Sequence, residues 1–504
     1  MPTRIRSACA LAALLAAASV VPRAAAEAPL GLFQDHADVG SVRHAGSARF
    51  DPAAQQYTIT GSGANMWAER DAFHVAWRKM KGDFILTARG GLAGAGANPH
   101  RKTGWIVRSG LGEGASYADA AVHGDGLAAL QFRRAEGATT EEVRSPVTGA
   151  DVIQLERRGG VYSMSVARFG EPFQTVQAPE FALGDEVYVG LFVCAHDEDA
   201  VETAVFRDVR ITVPPKAGFV PYRDYIGSRL EVLDVETGRR EVIHTDPGSI
   251  QAPNWTPDGR ALIYNKDGRL YRFDLATKAS SAIDTGFATS NNNDHVLSFD
   301  GTMLGISHHS ADDGGKSIVY VLPAAGGTPK RVTAQGPSYL HGWSPDRKFV
   351  IYTGERNGEF DIYRAPAAGG PEVRLTTAKG LDDGSEYAPD GKHIYFNSAR
   401  TGTMQVWRMR PDGTRQEQVT DDGFNNWFPH VSPDGKWLVI LSFGKDVDPA
   451  DHPFYKQVTI RRMPVAGGAP RVIAYLFGGQ GTINVPSWSP DGKRVAFVSN
   501  SDVF

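Results

Sequence analysis

The C-terminal half of this chain repeats one short phrase six times, and that repetition limits the fold more than any other feature. The phrase is an aromatic or aliphatic residue, Ser or Thr, then Pro-Asp-Gly or a near variant. It reads Trp255-Thr256-Pro257-Asp258-Gly259, Leu297-Ser298-Phe299-Asp300-Gly301, Trp343-Ser344-Pro345-Asp346-Arg347, Tyr387-Ala388-Pro389-Asp390-Gly391, Val431-Ser432-Pro433-Asp434-Gly435 and Trp488-Ser489-Pro490-Asp491-Gly492. Successive aspartates are 42, 46, 44, 44 and 57 residues apart, a period that suits a four-stranded propeller blade and not the helical repeats of about 33 or 34 residues. Proline presets the first turn dihedral, Asp hydrogen-bonds its own backbone and Gly takes the left-handed position, so each phrase is a tight turn between strands. Apolar runs such as Phe349-Val350-Ile351-Tyr352 and Leu438-Val439-Ile440-Leu441 follow the turns and read as second strands.

The last unit stops at Phe504, soon after the second strand Val495-Ala496-Phe497-Val498. Its missing half is expected upstream, where Arg229–Leu233 and Thr237–Ile243 read as a third strand, a turn and a fourth strand. A ring closed by strands from both ends of the propeller leaves no open sheet edge. The expected fold is therefore all-β, with a six-bladed β-propeller over residues 222–504.

The Ser-Pro-Asp-Gly-Lys turns, with Trp before several of them, resemble the propeller of the TolB-like periplasmic proteins over roughly the C-terminal 280 residues. Similar propellers serve as binding platforms, as gating domains of prolyl oligopeptidase-type peptidases and as oligogalacturonate lyases, so the resemblance implies the fold more sharply than the function.

At the other end, Arg4 and Arg6, an apolar run from Ala8 to Val21 and Ala24-Ala25-Ala26 read as a secretory signal peptide over residues 1–26. No other stretch is long and apolar enough to span a bilayer. Removing Arg4, Arg6 and Arg23 leaves 50 basic against 57 acidic residues, a net charge of −7, which argues against nucleic acid as a partner. Cys194 would then stand alone without a disulfide partner, and its apolar strand context reads as a buried core thiol.

Residues 27–212 lack the repeat but keep alternating strand patterns, for example Tyr57-Thr58-Ile59-Thr60, Phe73-His74-Val75-Ala76-Trp77 and Ile153-Gln154-Leu155-Glu156-Arg157. Many such strands with Gly-rich turns read as a β-sandwich. The order of its phrases (Gly-Ser-Gly then Trp, Gly-Asp-Phe, a Gly-x-x-x-Arg strand, a Leu-x-Arg strand and a final Ala-x-Phe) resembles concanavalin A-like and laminin-G-like jelly rolls. That resemblance implies saccharide holding or protein docking. Residues 213–221 form the expected linker, and a cut near Lys216 is expected to leave a soluble propeller.

Propeller topology places the starts of the inner strands and the loops between second and third strands on the face opposite the Pro-Asp-Gly turns. His295, His308, His309, His341, His430 and His452 fall on that upper face. His295, His341 and His430 lie four or five residues before their turn aspartates, where side chains could converge on the central channel. Asn254, Asp294, Glu386 and Asn484 hold similar points in other blades. Imidazoles with a carboxylate around one axis could hold a divalent metal such as Mn²⁺ or Ca²⁺, or orient an acidic ligand. A polar, water-filled channel would use the same residues. The long 57-residue spacing marks an insertion, residues 444–456, that overhangs the mouth with His452 and Lys456, while Arg356 and Arg400 lie in matching loops and could clamp a carboxylate.

No Gly-x-Ser-x-Gly elbow, His-Glu-x-x-His, P-loop or dinucleotide glycine pattern occurs in the sequence. Resemblance and location together imply an exported, periplasmic or secreted, monomeric binding protein whose partner is a cell-envelope protein or a saccharide. The competing expectation is a carbohydrate-active enzyme, a metal-assisted polysaccharide lyase or hydrolase. Its His-rich mouth resembles that of oligogalacturonate lyases in residue type and placement only, with Lys456 or Arg400 as base or clamp.

Overall fold

The computed structural model describes residues 29–502 apart from residue 97; the expected signal peptide, with Cys9, lies outside the described residues. Among the described residues, no helix is long and apolar enough to cross a membrane. Among those residues the helical element is a short 3₁₀ turn, Ala311–Asp313.

The N-terminal part is built from two seven-stranded antiparallel sheets. One runs Asp35–Val39, Phe73–Lys81, Glu186–Cys194, Lys102–Arg108, Tyr117–His123, Leu127–Arg133, Glu141–Thr148. The other runs Gln174–Gln177, Val161–Ala167, Val152–Arg158, Phe84–Leu92, Asp197–Thr212, Gln56–Gly63, Ser47–Asp51. Trp105, Leu130 and Leu191 from the first sheet pack with Ile59, Leu86, Leu155 and Phe206 from the second in one apolar cluster. The far face of the first sheet is covered too. Asp71, fully buried, takes Arg108 and Arg133 at 2.7 Å each and holds its loop down on that face. Strands Lys102–Arg108 and Tyr117–His123 are buried at every residue for this reason.

Residues from Gly227 onward form the propeller. Blades 1 to 5 are four-stranded antiparallel sheets taken in chain order, from Gln251–Trp255 through Arg471–Gly478. Blade 6 closes the ring as expected: Gly227–Asp234 pairs with Arg494–Ser501, Arg229 lying opposite Ser499, and with Arg240–Asp246 on its other side. A bridge between Trp488 and Val495 adds the inner strand.

The repeated phrase earns its place through one small network. In five turns the Ser or Thr hydroxyl donates to the Asp carboxylate, as in Thr256 to Asp258 at 2.6 Å and Ser432 to Asp434 at 2.6 Å. The same hydroxyl accepts the backbone N–H five residues on, as Ser344 does from Phe349 at 2.9 Å. Blade 3 has Arg347 where the others have Gly, at φ 60°, and its guanidinium ties back to Asp300 at 2.9 Å in the preceding turn.

Fourth strands reveal how the two parts join. In blades 1 to 4 they are two or three residues long and exposed, such as Lys330–Arg331 and Glu417–Gln418. In blade 5 the fourth strand, Arg471–Gly478, has eight residues and in blade 6, Arg240–Asp246, it has seven. Those two long edges would invite pairing if bare, and the N-terminal sheets cover them. Val152 and Ala167 pack with Val472 and Tyr475, the Tyr475 hydroxyl donates to Glu171 O at 2.5 Å, and Gln55 exchanges both amide hydrogen bonds with the Val242 backbone. At the centre of the seam Glu231, fully buried, accepts from Arg210 at 2.6 Å and from Arg240 at 2.8 Å. The segment after Thr212 is held as well, with Val213 donating to Ser501 Oγ at 3.0 Å and accepting from Asp502 N at 2.7 Å. It belongs to the seam and is not a free spacer, so a propeller cut near Lys216 would bare the apolar side chains of blade 5 that the N-terminal sheets cover.

Candidate functional site

A cavity of about 970 Å³ opens on the upper face, and every blade contributes to its wall. Its residues come from the starts of inner strands (Gln251, Asn291 to Asp294, Tyr339, His341, Asp383, Asn484), from the end of the blade 2 second strand (His309) and from loops between second and third strands (Asp267, His452, Phe454). The segment that enters the propeller adds Tyr222 and Tyr225, whose rings meet Phe454 edge-on at 5.4 and 5.6 Å between centroids. The blade 5 insertion and the domain connection thus build one aromatic rim together.

Inner strands reach this mouth through bulges. In blade 3 His341 is the extra residue between the pairs Leu340–Tyr352 and Gly342–Ile351. Blades 1, 2, 4 and 5 shift register between Gln251 and Asn254, Asn291 and His295, Asp383 and Glu386, and Trp427 and His430. Ala252, Gly384 and Phe428 sit at those bulges with φ of 54°, 60° and 51°. A bulge turns the side chains that follow it toward a different face. Equal spacing from the turn therefore does not give equal orientation.

The sequence-derived candidates divide accordingly. His341, Asp294 and His452 line the mouth. His295 is fully buried and its Nε2 lies 3.3 Å from Ile263 O. His430 is locked between Glu386 Oε2 and Ile483 O, each at 2.5 Å. Asn254 ties blade 1 to its neighbours, donating to Pro486 O at 2.7 Å and accepting from Leu297 N at 2.9 Å. His295, His341 and His430 do not share a site, and the donors do not fit a metal: two of the three rings are spent on backbone carbonyls. Among the described residues no group of three or more His, Cys, Asp or Glu side chains is placed to hold a metal ion. Arg356 is bound to Glu372 at 2.8 Å and Arg400 to Asp382 at 2.8 Å, and neither lines the mouth. Lys456 is exposed at the start of a blade 5 strand and also stands outside it.

What the mouth gathers instead is a set centred on Asp383, which the sequence did not single out. Asp383 Oδ1 is contacted by His341 Nε2 at 2.8 Å and accepts from Thr353 Oγ1 at 2.6 Å and from Gly384 N at 2.8 Å. Its Oδ2 has His452 Nε2 at 3.7 Å. Burial would raise the Asp383 carboxyl, but His341, His452 and the Thr353 hydroxyl outweigh it and hold it well below the usual carboxylate range. Burial also opposes charge on His341, yet Asp383 and Asp294 hold that imidazole above its ordinary value. Asp294 is pushed up to about 7, by burial first and by the Asp383 charge. Burial holds His452 below the ordinary histidine value. The set therefore joins a carboxyl held ionised, an imidazole beside it whose charged form is favoured, a carboxyl near its midpoint at neutral pH and an imidazole whose neutral form is favoured. Several perturbed groups converging in one cleft make it the candidate functional site.

Comparison with known proteins places this geometry in a family. The TolB β-propeller domain matches residues 216–365 and 341–451. A curated protein of Agrobacterium fabrum, itself uncharacterised, is 47% identical over 272 residues, which is 54% of this chain and 92% of that protein. A solved structure from Agrobacterium tumefaciens, provisionally named TolB, shares 46% identity over 56% of this chain and 100% of its own, with a TM-score of 0.53. An oligogalacturonate lyase in complex with manganese is far more distant, at 17% identity over 54% of this chain and 82% of its own with a TM-score of 0.38, and carries nothing about chemistry here. Through its ring of six blades, this chain belongs to the TolB β-propeller family.

Proposed function

We propose that the chain is an exported, periplasmic binding protein whose propeller mouth holds a saccharide of the cell envelope. In this reading residues 27–212 are a concanavalin A-like jelly roll that braces the propeller and residues 222–504 are the binding platform. One observation carries the reading: a cavity of about 970 Å³ walled by aromatic rings and side-chain amides around a charged centre. Tyr222, Tyr225, Tyr339, Phe360, Phe428 and Phe454 supply rings, and Gln251, Asn265, Asn291, Asn292, Asn293, Gln480 and Asn484 supply amides. Sugars present C–H faces that stack on rings and hydroxyls that need paired donors and acceptors, and the mouth offers both. Its volume lies at the upper end for ligand sites, with room for an oligosaccharide.

Binding to an array of envelope glycan fragments tests this reading. The Tyr222→Ala/Tyr225→Ala double variant, changed only at exposed rim rings, is expected to lose about tenfold or more in affinity. Glycan binding that is unchanged by this variant would place the site elsewhere.

A further inference from the structure

The charge of the mouth narrows the ligand class, on the premise that the mouth is a saccharide site. Among the described residues that line it there is no lysine or arginine, whereas Asp267, Asp294 and Asp383 all do. The basic groups nearby are committed elsewhere: Arg356 to Glu372 at 2.8 Å, Arg400 to Asp382 at 2.8 Å and Lys266 to Asp246 at 2.7 Å. His341 lies against Asp383 at 2.8 Å, so a proton gained by its ring is matched there. That leaves the cavity with an excess of negative charge from Asp267, to which Asp294 adds as it ionises. An acidic sugar would have to bury its carboxylate here without a lysine or arginine to pair with it, which is unfavourable in a desolvated site.

Two carboxylates remain for a ligand. Asp383 Oδ1 accepts from Thr353 and Gly384 and has His341 Nε2 at 2.8 Å, whereas Oδ2 has, among the described residues, His452 Nε2 at 3.7 Å, beyond hydrogen-bond reach. Asp267 stands on the blade 1 side of the same wall, in the turn before Gly268.

We propose that the mouth selects a basic saccharide, an oligomer carrying free amino groups, with Asp383 Oδ2 and Asp267 as the acceptors for its ammonium groups and the Tyr222, Tyr225 and Phe454 rings stacked on its sugar faces. The aromatic rim also favours cations, because an ammonium held over a ring face is attracted to it.

Calorimetric titration of the full chain with three oligosaccharides of equal length tests the proposal: glucosamine, N-acetylglucosamine and galacturonate oligomers, each at low and at moderate salt. The glucosamine oligomer is expected to bind at least tenfold more tightly than either of the others, and to weaken as salt rises. Asp383→Asn should lower its affinity at least tenfold. Should that variant fail to fold, Asp267→Asn at the edge of the cavity is expected to cost about threefold to tenfold and to reduce the salt dependence. Equal affinity for the amine and acetylated oligomers, or tighter binding of galacturonate, would overturn the charge selection; if Tyr222→Ala still abolished that binding, the saccharide mouth itself would stand. Binding of none of the three would overturn the charge selection, and the saccharide reading would then rest on the glycan array alone.

Discussion

Glu231 offers a sharp test of how the two parts of this molecule are joined. Its carboxylate is fully buried and lies between the guanidinium groups of Arg210, from the last strand of the N-terminal sheets, and Arg240, from the outer strand of blade 6. The Ser499 hydroxyl donates to the same carboxylate. Glu231→Gln keeps the shape and removes the charge, leaving two buried cations facing one neutral amide. Breaking a buried pair in this way costs about 3 to 5 kcal/mol. With a urea m value of about 3 kcal/mol per molar, the unfolding midpoint of the full chain should fall by about 1 M or more. The pH dependence follows from the same contact. Although burial opposes it, the two arginines hold the Glu231 pKa below its unfolded value, so its stabilisation is fully present above the unfolded glutamate pKa of about 4.3 and fades as pH falls below that. The variant should therefore lose most of its deficit at low pH. A loss under about 1 kcal/mol at pH 7, or a deficit that does not shrink in acid, would refute the reasoning.

Other expectations follow from the mouth, the turns and the seam. The His341 imidazole, followed by NMR, should titrate above the ordinary histidine pKa of about 6.5; its stabilisation is present below that value and is lost as pH rises through the folded pKa, and a midpoint at or below 6.5 would contradict the ion pair. Asp294 has its pKa raised to about 7, so it favours the folded state less as pH climbs from about 4 toward 7; Asp294→Asn should match the wild type at pH 4 and exceed its thermal stability at pH 8. Blade 4 carries Ala388 where the other turns carry Ser or Thr, and Ala388→Ser should restore the hydroxyl bridge to Asp390 and add about 0.5 to 1.5 kcal/mol by denaturant melting. A propeller cut near Lys216 bares Val472, Tyr475 and Phe477 together with the Arg240 cation; size-exclusion chromatography should show it associating, whereas replacing those three apolar side chains by polar ones should return a monomer.

The six Asp-turn phrases were legible because each is local: Pro, Asp and Gly specify a turn from within five residues, and their period gives the blade. Closure by Arg229–Leu233 was legible for the same reason, since half a blade was missing at one end and present at the other. Tyr117–His123 was not read as a strand. Its alanines carry no strand signal, and it is stabilised by cover on both faces, which only tertiary structure shows. Topology assigns the mouth to one face of the ring but does not order its side chains residue by residue. His295 and His341 sit at the same offset from their turns, yet different bulges direct one into the blade and the other into the cavity. Asp383 was overlooked because Asp382-Asp383-Gly384 reads as a solvated turn in sequence; the Gly at the bulge, with φ 60°, was the signal that the strand bends there. Arg356 and Arg400 looked free in sequence because Glu372 and Asp382, their partners, are 16 and 18 residues away.

A crystal structure of the full chain grown with a glucosamine oligosaccharide bears most directly on the binding mouth. Ordered sugar density is expected inside the cavity walled by Tyr222, Asp383 and Phe454, with an amino group within about 3 Å of Asp383 Oδ2. Sugar ordered on the N-terminal sheets, with the propeller mouth filled only by water, would contradict the account.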